Sequence, residues 1–285
     1  CTMSRIEVKD VSKSFKDTQA LSCVNLCFEE NTIYGLLGRN GAGKSTLLNI
    51  INNRLFADSG RVTLDNKSLT ENTDALSSCF LANESNLYPE GMKVSQALKW
   101  SQEFYPDFDR EYAKKLCESF KLPVKKKIKD LSTGYRSIFQ NIVALSVNVP
   151  FVFLDEPVLG LDACHRDLFY RTLIEKYSEQ PFTAVISTHL IEEAAKLIEH
   201  VVVIKNGEII RNEPLEDLLG SGYCISGPGA QIDAYVEGKE VIGMDTLGGL
   251  KTAYVIGTPD SRLPSGTEAS RMDLQKLFIR LTDGA

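Results

Sequence analysis

Residues 38–45 read Gly-Arg-Asn-Gly-Ala-Gly-Lys-Ser, and this stretch decides the fold. It matches G-x-x-x-x-G-K-[ST], the pattern of a phosphate-binding loop that connects a buried strand to the start of a helix. The apolar run at 33–37 predicts the strand, and residues 46–51 predict the first turns of a buried helix. A glycine-rich turn can match such a pattern by chance, so the rest of the chain has to support it.

The residue types in this loop suit a nucleotide. Glycines let the backbone wrap closely around phosphate with its N–H groups pointing inward, and the N-terminus of the following helix adds a favourable partial charge. Lys44 would reach the β- and γ-phosphates, and the Ser45 hydroxyl would hold Mg²⁺. The predicted nucleotide-binding residues of the loop are Gly38, Arg39, Asn40, Gly41, Ala42, Gly43, Lys44, Ser45 and Thr46.

A second strong signal is the run Phe-Val-Phe-Leu-Asp-Glu at 151–156. Its four consecutive apolar residues predict a strand buried on both faces, as in a parallel sheet covered by helices. Carboxylates at the carboxyl end of such a strand lie where open α/β sheets bind ligands. Asp155 would complete the Mg²⁺ site with Ser45, and Glu156 would polarise a water for in-line attack on the γ-phosphate.

Further positions allow two interpretations each. Phe15 ends a predicted strand and could stack on adenine, although an aromatic residue in a strand usually packs in the core. Ser132 or Thr133 could cap a helix whose first N–H groups cradle phosphate, or could be a plain N-cap. His189 follows a predicted strand at 183–186 and could bond the γ-phosphate, or could cap a helix or pack.

Length and composition limit the class of protein. A chain of 285 residues with 43% hydrophobic and 25% charged residues holds an α/β domain and a smaller appendage. The formal net charge of −6 argues against a dedicated nucleic-acid binder. No apolar run approaches the length of a membrane span and no signal-peptide pattern opens the chain, so we expect neither. Seven cysteines without metal-ligand spacing suggest free thiols in a reducing compartment.

The order of these stretches resembles the ATP-binding subunit of an ABC transporter. Residues 38–45 are similar to the Walker A motif, and residues 151–156 to Walker B with its catalytic glutamate. Residues 131–135 resemble the LSGGQ signature, and residues 158–162 the D-loop. His189 is similar to the switch histidine, and the resemblance runs from about residue 4 to residue 219. It implies that the bound nucleotide is ATP with Mg²⁺.

The resemblance also assigns the remaining site residues. Phe15 falls where the family places its adenine-stacking aromatic. The signature reads Leu-Ser-Thr-Gly-Tyr, in which Thr133 replaces a glycine and Tyr135 the glutamine. Ser132 and Gly134 remain, so phosphate binding by the amides of this helix N-terminus is still expected.

The position of the Q-loop glutamine is occupied by Asn83, which is shorter by one methylene. The implied metal site is therefore Ser45, Asp155 and Asn83, with the neighbouring Glu84 as an alternative to Asn83. The change leaves open how the site senses Mg²⁺ and how it couples to a membrane subunit, but ATP binding is still expected.

The fold implied is α/β, a P-loop NTPase cassette of the ABC type. It would combine a mostly parallel RecA-like core sheet, an antiparallel β subdomain and a helical subdomain at about 85–147. We expect this ATP-binding domain at 4–219 and a small α+β accessory domain at 220–285. Serines, glycines and a proline at 221–229 predict a linker or a loop-rich boundary between them. The accessory domain has two interpretations, a packing or dimer-supporting cap and a regulatory sensor.

The family implies a head-to-tail dimer that holds ATP between Walker A of one subunit and Ser132 and Gly134 of the other. The partners expected are a transmembrane permease and a second nucleotide-binding domain, identical or different, with no nucleic acid. The chain would then hydrolyse ATP at the cytoplasmic face of the cell membrane. The tail and the altered signature resemble exporters of peptides, antibiotics or other toxic compounds. The transported substrate is not predicted.

Two other functions remain as alternatives. A soluble ABC ATPase acting on ribosomes or DNA usually carries two cassettes or a long coiled-coil insertion, and the sequence shows neither. A P-loop kinase for small molecules would need a lid that binds the phosphate acceptor, and it would leave the signature and His189 unexplained.

Overall fold

The fold is described from a computed structural model that covers residues 4–85 and 87–283. The strands are β1 (Arg5–Phe15), β2 (Thr18–Glu29), β3 (Ile33–Leu37), β4 (Ser59–Leu64), β5 (Lys67–Ser68), β6 (Cys79–Ala82), β7 (Phe151–Asp155), β8 (Thr183–Ser187), β9 (His200–Lys205), β10 (Glu208–Pro214), β11 (Gly222–Pro228), β12 (Val241–Leu247), β13 (Leu250–Ile256) and β14 (Glu268–Arg271).

The helices are α1 (Lys44–Ile51), α2 (Thr73–Leu76), α3 (Val94–Phe104), α4 (Arg110–Ser119), α5 (Thr133–Ser146), α6 (Ala163–Glu179), α7 (Ile191–Ala194), α8 (Leu215–Gly220), α9 (Gly229–Tyr235) and α10 (Leu274–Asp283). A short 3₁₀ helix spans Ile128–Asp130. In the part of the chain that the structure describes, no helix is both long and apolar enough to cross a membrane.

The central sheet has the strand order β10-β9-β3-β8-β7-β6 and is parallel except for β10. Strands β3 and β8 are buried along their whole length, and so is β7 up to its last residue. This confirms the strands predicted at 33–37 and 151–154 and explains why they read as continuous apolar runs. Successive residues of β7 enter different cores, because Phe153 faces one side of the sheet and Leu154 the other.

One face of the central sheet is covered by a four-stranded antiparallel sheet in the order β2-β1-β4-β5 and by α1. In β2 the large apolar residues alternate with smaller or polar ones, and Val24, Leu26 and Phe28 are all buried. The Phe28 and Phe153 rings meet edge to face at 6.0 Å, which joins the two sheets.

The other face carries α5, α6 and α7, with α3 and α4 packed beyond them. As the helical pattern predicted, the described residues between 85 and 147 form helices and no strand longer than an isolated bridge. Asp109 begins α4 as its N-cap, accepting a hydrogen bond from the Tyr112 amide at 2.8 Å.

The C-terminal region forms a third sheet in the order β12-β13-β11-β14, with antiparallel pairing throughout. The linker predicted at 221–229 is wrong, because these residues form β11, a central strand of this sheet, and the start of α9. Gly222 stands in that strand because a Cβ there would lie 2.4 Å from the Val255 carbonyl oxygen. Crowding against a neighbouring strand, not a turn, accounts for this glycine.

The closing helix α10 contacts α7, next to the predicted switch histidine. Its Leu274 and Leu277 are buried in the same core as Ile191 and Ala194 of α7. Its Arg280 pairs with Asp245 of β12, and its guanidinium stacks on Tyr254 at 4.9 Å. The C-terminal sheet is thus joined to the face of the central sheet that carries α7.

Candidate functional site

The loop at 38–45 connects β3 to α1 and is shaped by close backbone contacts. Gly41 and Gly43 have φ angles of 79° and 109°, which side chains rarely allow. A Cβ at Gly43 would lie 2.5 Å from the Ala20 carbonyl oxygen, and one at Gly38 would lie 2.7 Å from the Ile204 carbonyl oxygen. Contacts with β2 and β9 therefore fix the loop in a form that only glycine permits.

The Lys44 ammonium is buried inside this loop. It donates to the Gly38 carbonyl at 2.7 Å and to the Arg39 carbonyl at 3.3 Å. Burial lowers the pKa of Lys44, and the nearby carboxylates of Glu156 and Asp155 act in the opposite direction. An ammonium has three donors, so the side chain can hold the loop and still donate to a phosphate oxygen.

Buried side-chain oxygens lie at the carboxyl ends of β7 and β8, where Asp155 and Ser187 are opposite each other in the register of the two strands. Asp155 Oδ1 and Ser187 Oγ are buried and have no hydrogen-bond partner among residues 4–85 and 87–283. Such atoms are costly unless something else coordinates them. Carboxylate and hydroxyl oxygens are the ligands that Mg²⁺ prefers, so Asp155 and the exposed Ser45 fit the predicted metal site.

Glu156 lies at the same edge of the sheet and contacts the predicted switch histidine. Its Oε2 is 2.8 Å from Nδ1 of His189, and its amide donates to the Ser187 carbonyl at 2.8 Å. A carboxylate only accepts hydrogen bonds, so the contact requires a proton on Nδ1. The structure thus brings together the two predicted catalytic side chains, which are 33 positions apart in sequence.

Asn83 lies directly after β6 and is buried, but its side chain is already engaged. Its carbonyl oxygen accepts from Nη1 of Arg54 at 3.2 Å and from the Ser85 amide at 3.1 Å. Arg54 also donates to the Leu81 carbonyl at 2.7 Å. The predicted metal role of Asn83 would require this oxygen to exchange a hydrogen bond for the ion, because both lone pairs are in use. The role of Asn83 stays a prediction.

The signature begins α5. Ser132 is its N-cap, because Ser132 Oγ accepts from the Tyr135 amide at 3.3 Å, and this confirms the predicted cap. Ser132 and Thr133 are exposed, and the hydrogen bonds of Ser132 in the described chain stay within α5. Tyr135 packs edge to face with the His165 ring at 6.4 Å. The start of α5 is therefore exposed at Ser132 and Thr133.

Residues from several of these segments line one cavity of about 270 Å³. Asn83, Thr133, Asn141, Asp155 and Glu156 all contribute to its wall. The cavity therefore joins the Q-loop position, the signature helix and the carboxyl end of β7.

Phe15 is not a core residue. It ends β1 at the tip of the hairpin to β2, and 47% of it is exposed. The Lys13 ammonium lies 5.6 Å from the centre of its ring. Of the two interpretations from sequence, core packing is wrong; stacking on adenine stays a prediction.

Sequence reasoning missed two polar side chains that hold this region together, Arg54 and Asn141. Arg54 gave no local signal, because its partner Asn83 is 29 residues away. Asn141 did give one, since it is a polar residue three positions after Ile138 and four before Leu145, on the apolar side of the predicted helix. A buried polar side chain in such a stretch calls for a hydrogen-bond partner.

Comparison with known proteins identifies the family to which the chain is similar. A family model described as ABC transporter matches residues 21–159. The ABC transporter ATP-binding protein YtrB of Bacillus subtilis is 27% identical over 213 residues, which is 75% of this chain and 73% of that protein. The ABC transporter ATP-binding protein MJ1023 of Methanocaldococcus jannaschii is 32% identical over 219 residues, covering 75% of this chain and 79% of the relative.

A relative named for import and a solved dimer are also similar. The sulfate/thiosulfate import ATP-binding protein CysA 1 of Shewanella oneidensis is 33% identical over 222 residues, which is 74% of this chain and 59% of that protein. The ATP-binding cassette MJ0796, solved as a dimer after hydrolysis with ADP and Pi, superposes with a TM-score of 0.65. It is 25% identical, and the match covers 74% of this chain and 98% of that one.

Proposed function

The chain belongs to the ABC transporter family as an ATP-binding subunit with ATPase activity coupled to transport, and we propose that it powers an exporter through ATP-driven dimerisation. The observation that carries this proposal is the 2.8 Å contact between Glu156 and His189, beside the unpartnered oxygen of Asp155. This arrangement supplies a base, a group that orients it and a ligand for a cation at one edge of the sheet.

The loop at 38–45 binds the phosphates of ATP, with Lys44 donating to a phosphate oxygen and the amides at the start of α1 around it. Phe15 stacks on the adenine from the tip of the hairpin, which its exposed ring supports. Mg²⁺, held by Ser45 and Asp155, would neutralise charge on the phosphates. Asn83 would join that site only after releasing Arg54.

Glu156 accepts a proton from the attacking water, and His189 keeps the carboxylate in position. The contact uses Nδ1, so Nε2 is the ring nitrogen left for the γ-phosphate, and it donates to a phosphate oxygen only when it also carries a proton. Glu156 is only partly exposed, and its amide is fixed to the end of β8. Its carboxylate is therefore held in one place before ATP binds, which favours general-base catalysis.

A second copy or a related subunit completes the site. The exposed start of α5, with Ser132 and Gly134, binds the ATP held by the other subunit's loop. The dimer of the related cassette MJ0796 supports this arrangement. The concentration experiment below tests whether the two subunits are identical.

A permease is the membrane partner, and the helical segment at about 85–147 is the surface that meets it. Exposed aromatic residues support this assignment: Trp100 and Phe104 lie one turn apart on α3 with ring centres 6.4 Å apart, and 71% of Phe104 is exposed. Large aromatic side chains are enriched in protein interfaces. The chain would therefore work at the cytoplasmic face of the cell membrane.

We assign the ATP-binding domain to residues 4–219 and an accessory domain to residues 220–285. The direction proposed is export of peptides, antibiotics or other toxic compounds, on the resemblance of the tail and of the Leu-Ser-Thr-Gly-Tyr signature to exporters. Cells that lack this chain should then be hypersensitive to one such compound. Loss of uptake of a nutrient without any hypersensitivity would instead support import, the direction in the name of the relative CysA 1.

The experiment that tests the mechanism compares the wild type with Glu156→Gln. We expect wild-type hydrolysis to rise faster than linearly with protein concentration, and E156Q to be inactive and to elute as a dimer with ATP and Mg²⁺. The control is Glu103→Gln, the same change on the exposed face of α3.

Three results would count against the mechanism. Undiminished hydrolysis by E156Q would overturn the assignment of the base. Linear hydrolysis with a monomeric E156Q would overturn the homodimer. A phosphorylated small-molecule product in place of free phosphate would favour a kinase.

A further inference from the structure

One face of α5 is attached to the turn that follows β7. Gly134, Ser137 and Asn141 lie at positions i, i+3 and i+7 of the helix, which places them on one side of it. The turn at 156–161 begins with Glu156 and is closed by hydrogen bonds from the Leu159 amide to the Glu156 carbonyl and from the Leu161 amide to the Val158 carbonyl.

The two segments are joined at three points. Asn141 Nδ2 donates to the Pro157 carbonyl at 2.7 Å, and Ser137 Oγ donates to the Leu159 carbonyl at 2.9 Å. At the third point the backbones touch, since a Cβ on Gly134 would lie 2.4 Å from the Gly160 oxygen. Of the two hydrogen bonds, the one from Asn141 is the more buried, because only 2% of Asn141 is exposed.

Glu156 needs such support because its backbone is unusual. Its φ is 52°, in the left-handed region that side chains other than glycine rarely adopt, and the next residue is Pro157. A residue keeps this conformation only where its surroundings determine it fully. The Glu156 amide is held by β8, and the Glu156 carbonyl accepts from the Leu159 amide of the same turn. The carbonyl of the next residue, Pro157, is held by Asn141, so this hydrogen bond ties the turn that carries Glu156 to α5.

We propose that Asn141 is a positioning residue for the ATPase reaction. By donating a hydrogen bond to the Pro157 carbonyl, it holds the Glu156 carboxylate in the position that catalysis requires. The proposal rests on the function proposed for Glu156. Asn141 also lines the cavity that contains Asp155 and Glu156, so its amide lies beside the reaction and not in a remote part of the core. In the described chain, the side-chain hydrogen bond of Asn141 goes to Pro157 and not to the phosphate-binding loop.

The test compares Asn141→Leu and Asn141→Asp in the full-length chain. Both substitutions keep the approximate size of the side chain and remove the donor to Pro157. Because the phosphates are held by the loop at 38–45, we expect KM for ATP to stay within about twofold. A small displacement of Glu156 should lower kcat by about tenfold or more. ATP binding by the variants, measured with a fluorescent ATP analogue, shows that they are folded.

The matched control is Asn148→Asp. Asn148 Nδ2 donates to the Asp107 carbonyl at 2.8 Å, so the same change removes the same type of hydrogen bond just beyond the other end of α5. Its kcat should stay within about twofold of wild type, because Asp107 and Asn148 lie outside the cavity at Glu156. A merely structural role of Asn141 would give the same small effect in both positions.

A double variant separates this proposal from the proposed function. If E156Q is nearly inactive, adding N141L to it should cause no further loss of kcat, because both substitutions act on the same carboxylate. An inactive E156Q together with a wild-type kcat for N141L overturns the role of Asn141 alone. A fully active E156Q overturns the function of Glu156 and the role of Asn141 with it. Equal rises in KM and falls in kcat for N141L and N148D also overturn the role of Asn141.

Discussion

We assign phosphate binding to two helix N-termini, the loop at 38–45 that leads into α1 and the start of α5. The two are built in different ways. The loop surrounds a buried Lys44 and is fixed on two sides by strands of its own chain. The start of α5 is exposed, and its Ser132 hydroxyl caps its own helix. We therefore expect one phosphate site to be complete within a single chain and the other to serve the ATP of a second molecule.

The difference also lies in what holds each helix in place. α1 is set by packing under the β1–β2 sheet, in a core to which Leu47 and Leu48 contribute. The start of α5 touches the turn at 156–161 at Gly134 and Gly160, and its Tyr135 packs against His165. We expect changes at the loop to affect the binding of ATP, and changes at α5 to affect hydrolysis after binding.

The largest effect is expected for Lys44→Ala. It removes a buried cation, and charge-assisted hydrogen bonds contribute about 1.5–3 kcal/mol each, so ATP should bind at least about tenfold more weakly. Hydrolysis should fall below detection. Equilibrium binding of labelled ATP measures the change, and Lys99→Ala on the exposed side of α3 is the control. Unchanged ATP affinity would remove the distinction between the two sites.

Gly134→Ala should come next. Its new methyl group would lie 2.4 Å from the Gly160 carbonyl oxygen, so α5 and the turn at 156–161 must separate. We expect hydrolysis to fall by roughly a hundredfold while ATP affinity stays within about twofold, since the loop is not touched. Gly91→Ala is the control, because a Cβ there would meet no atom of residues 4–85 and 87–283 within 4 Å. Loss of ATP binding in G134A would show that the two sites are not independent.

Much of this comparison could be predicted from the sequence, because it rests on local patterns. The loop, the apolar strand before Asp155 and the cap at Ser132 each follow from a few adjacent residues. The pairing of Arg54 with Asn83 could not be predicted, since hydrogen bonds between distant segments leave no local pattern. The strand β11 was mistaken for a linker, because a glycine required by crowding in a sheet looks the same as one required by a turn.

Ser132→Ala should have a moderate effect. It removes the N-cap of α5, which costs about 1 kcal/mol of stability, and it removes the hydroxyl offered to the other subunit. In the E156Q background we expect the ATP-bound dimer to dissociate at a several-fold higher protein concentration, measured by analytical ultracentrifugation. The control is Ser119→Ala, whose hydroxyl donates to the Lys115 carbonyl within α4. An unaltered dimer would mean that Ser132 acts only as a cap.

Thr133→Gly should have the smallest effect. It restores the glycine of the family pattern but leaves the amides of α5 in place, so hydrolysis should stay within about threefold of wild type. Steady-state kinetics at saturating ATP measure it. A large gain would show instead that the exposed Thr133 side chain hinders the approach of the second subunit.

The packing of α10 against α7 has a consequence for how the chain unfolds. Leu274 and Leu277 belong to the same core as Ile191, so the resemblance that ends near residue 219 does not mark the end of a folding unit. Ending the chain there would expose apolar surface beside His189. We therefore expect cooperativity to extend across that limit, so that the C-terminal sheet and the cassette melt in one transition.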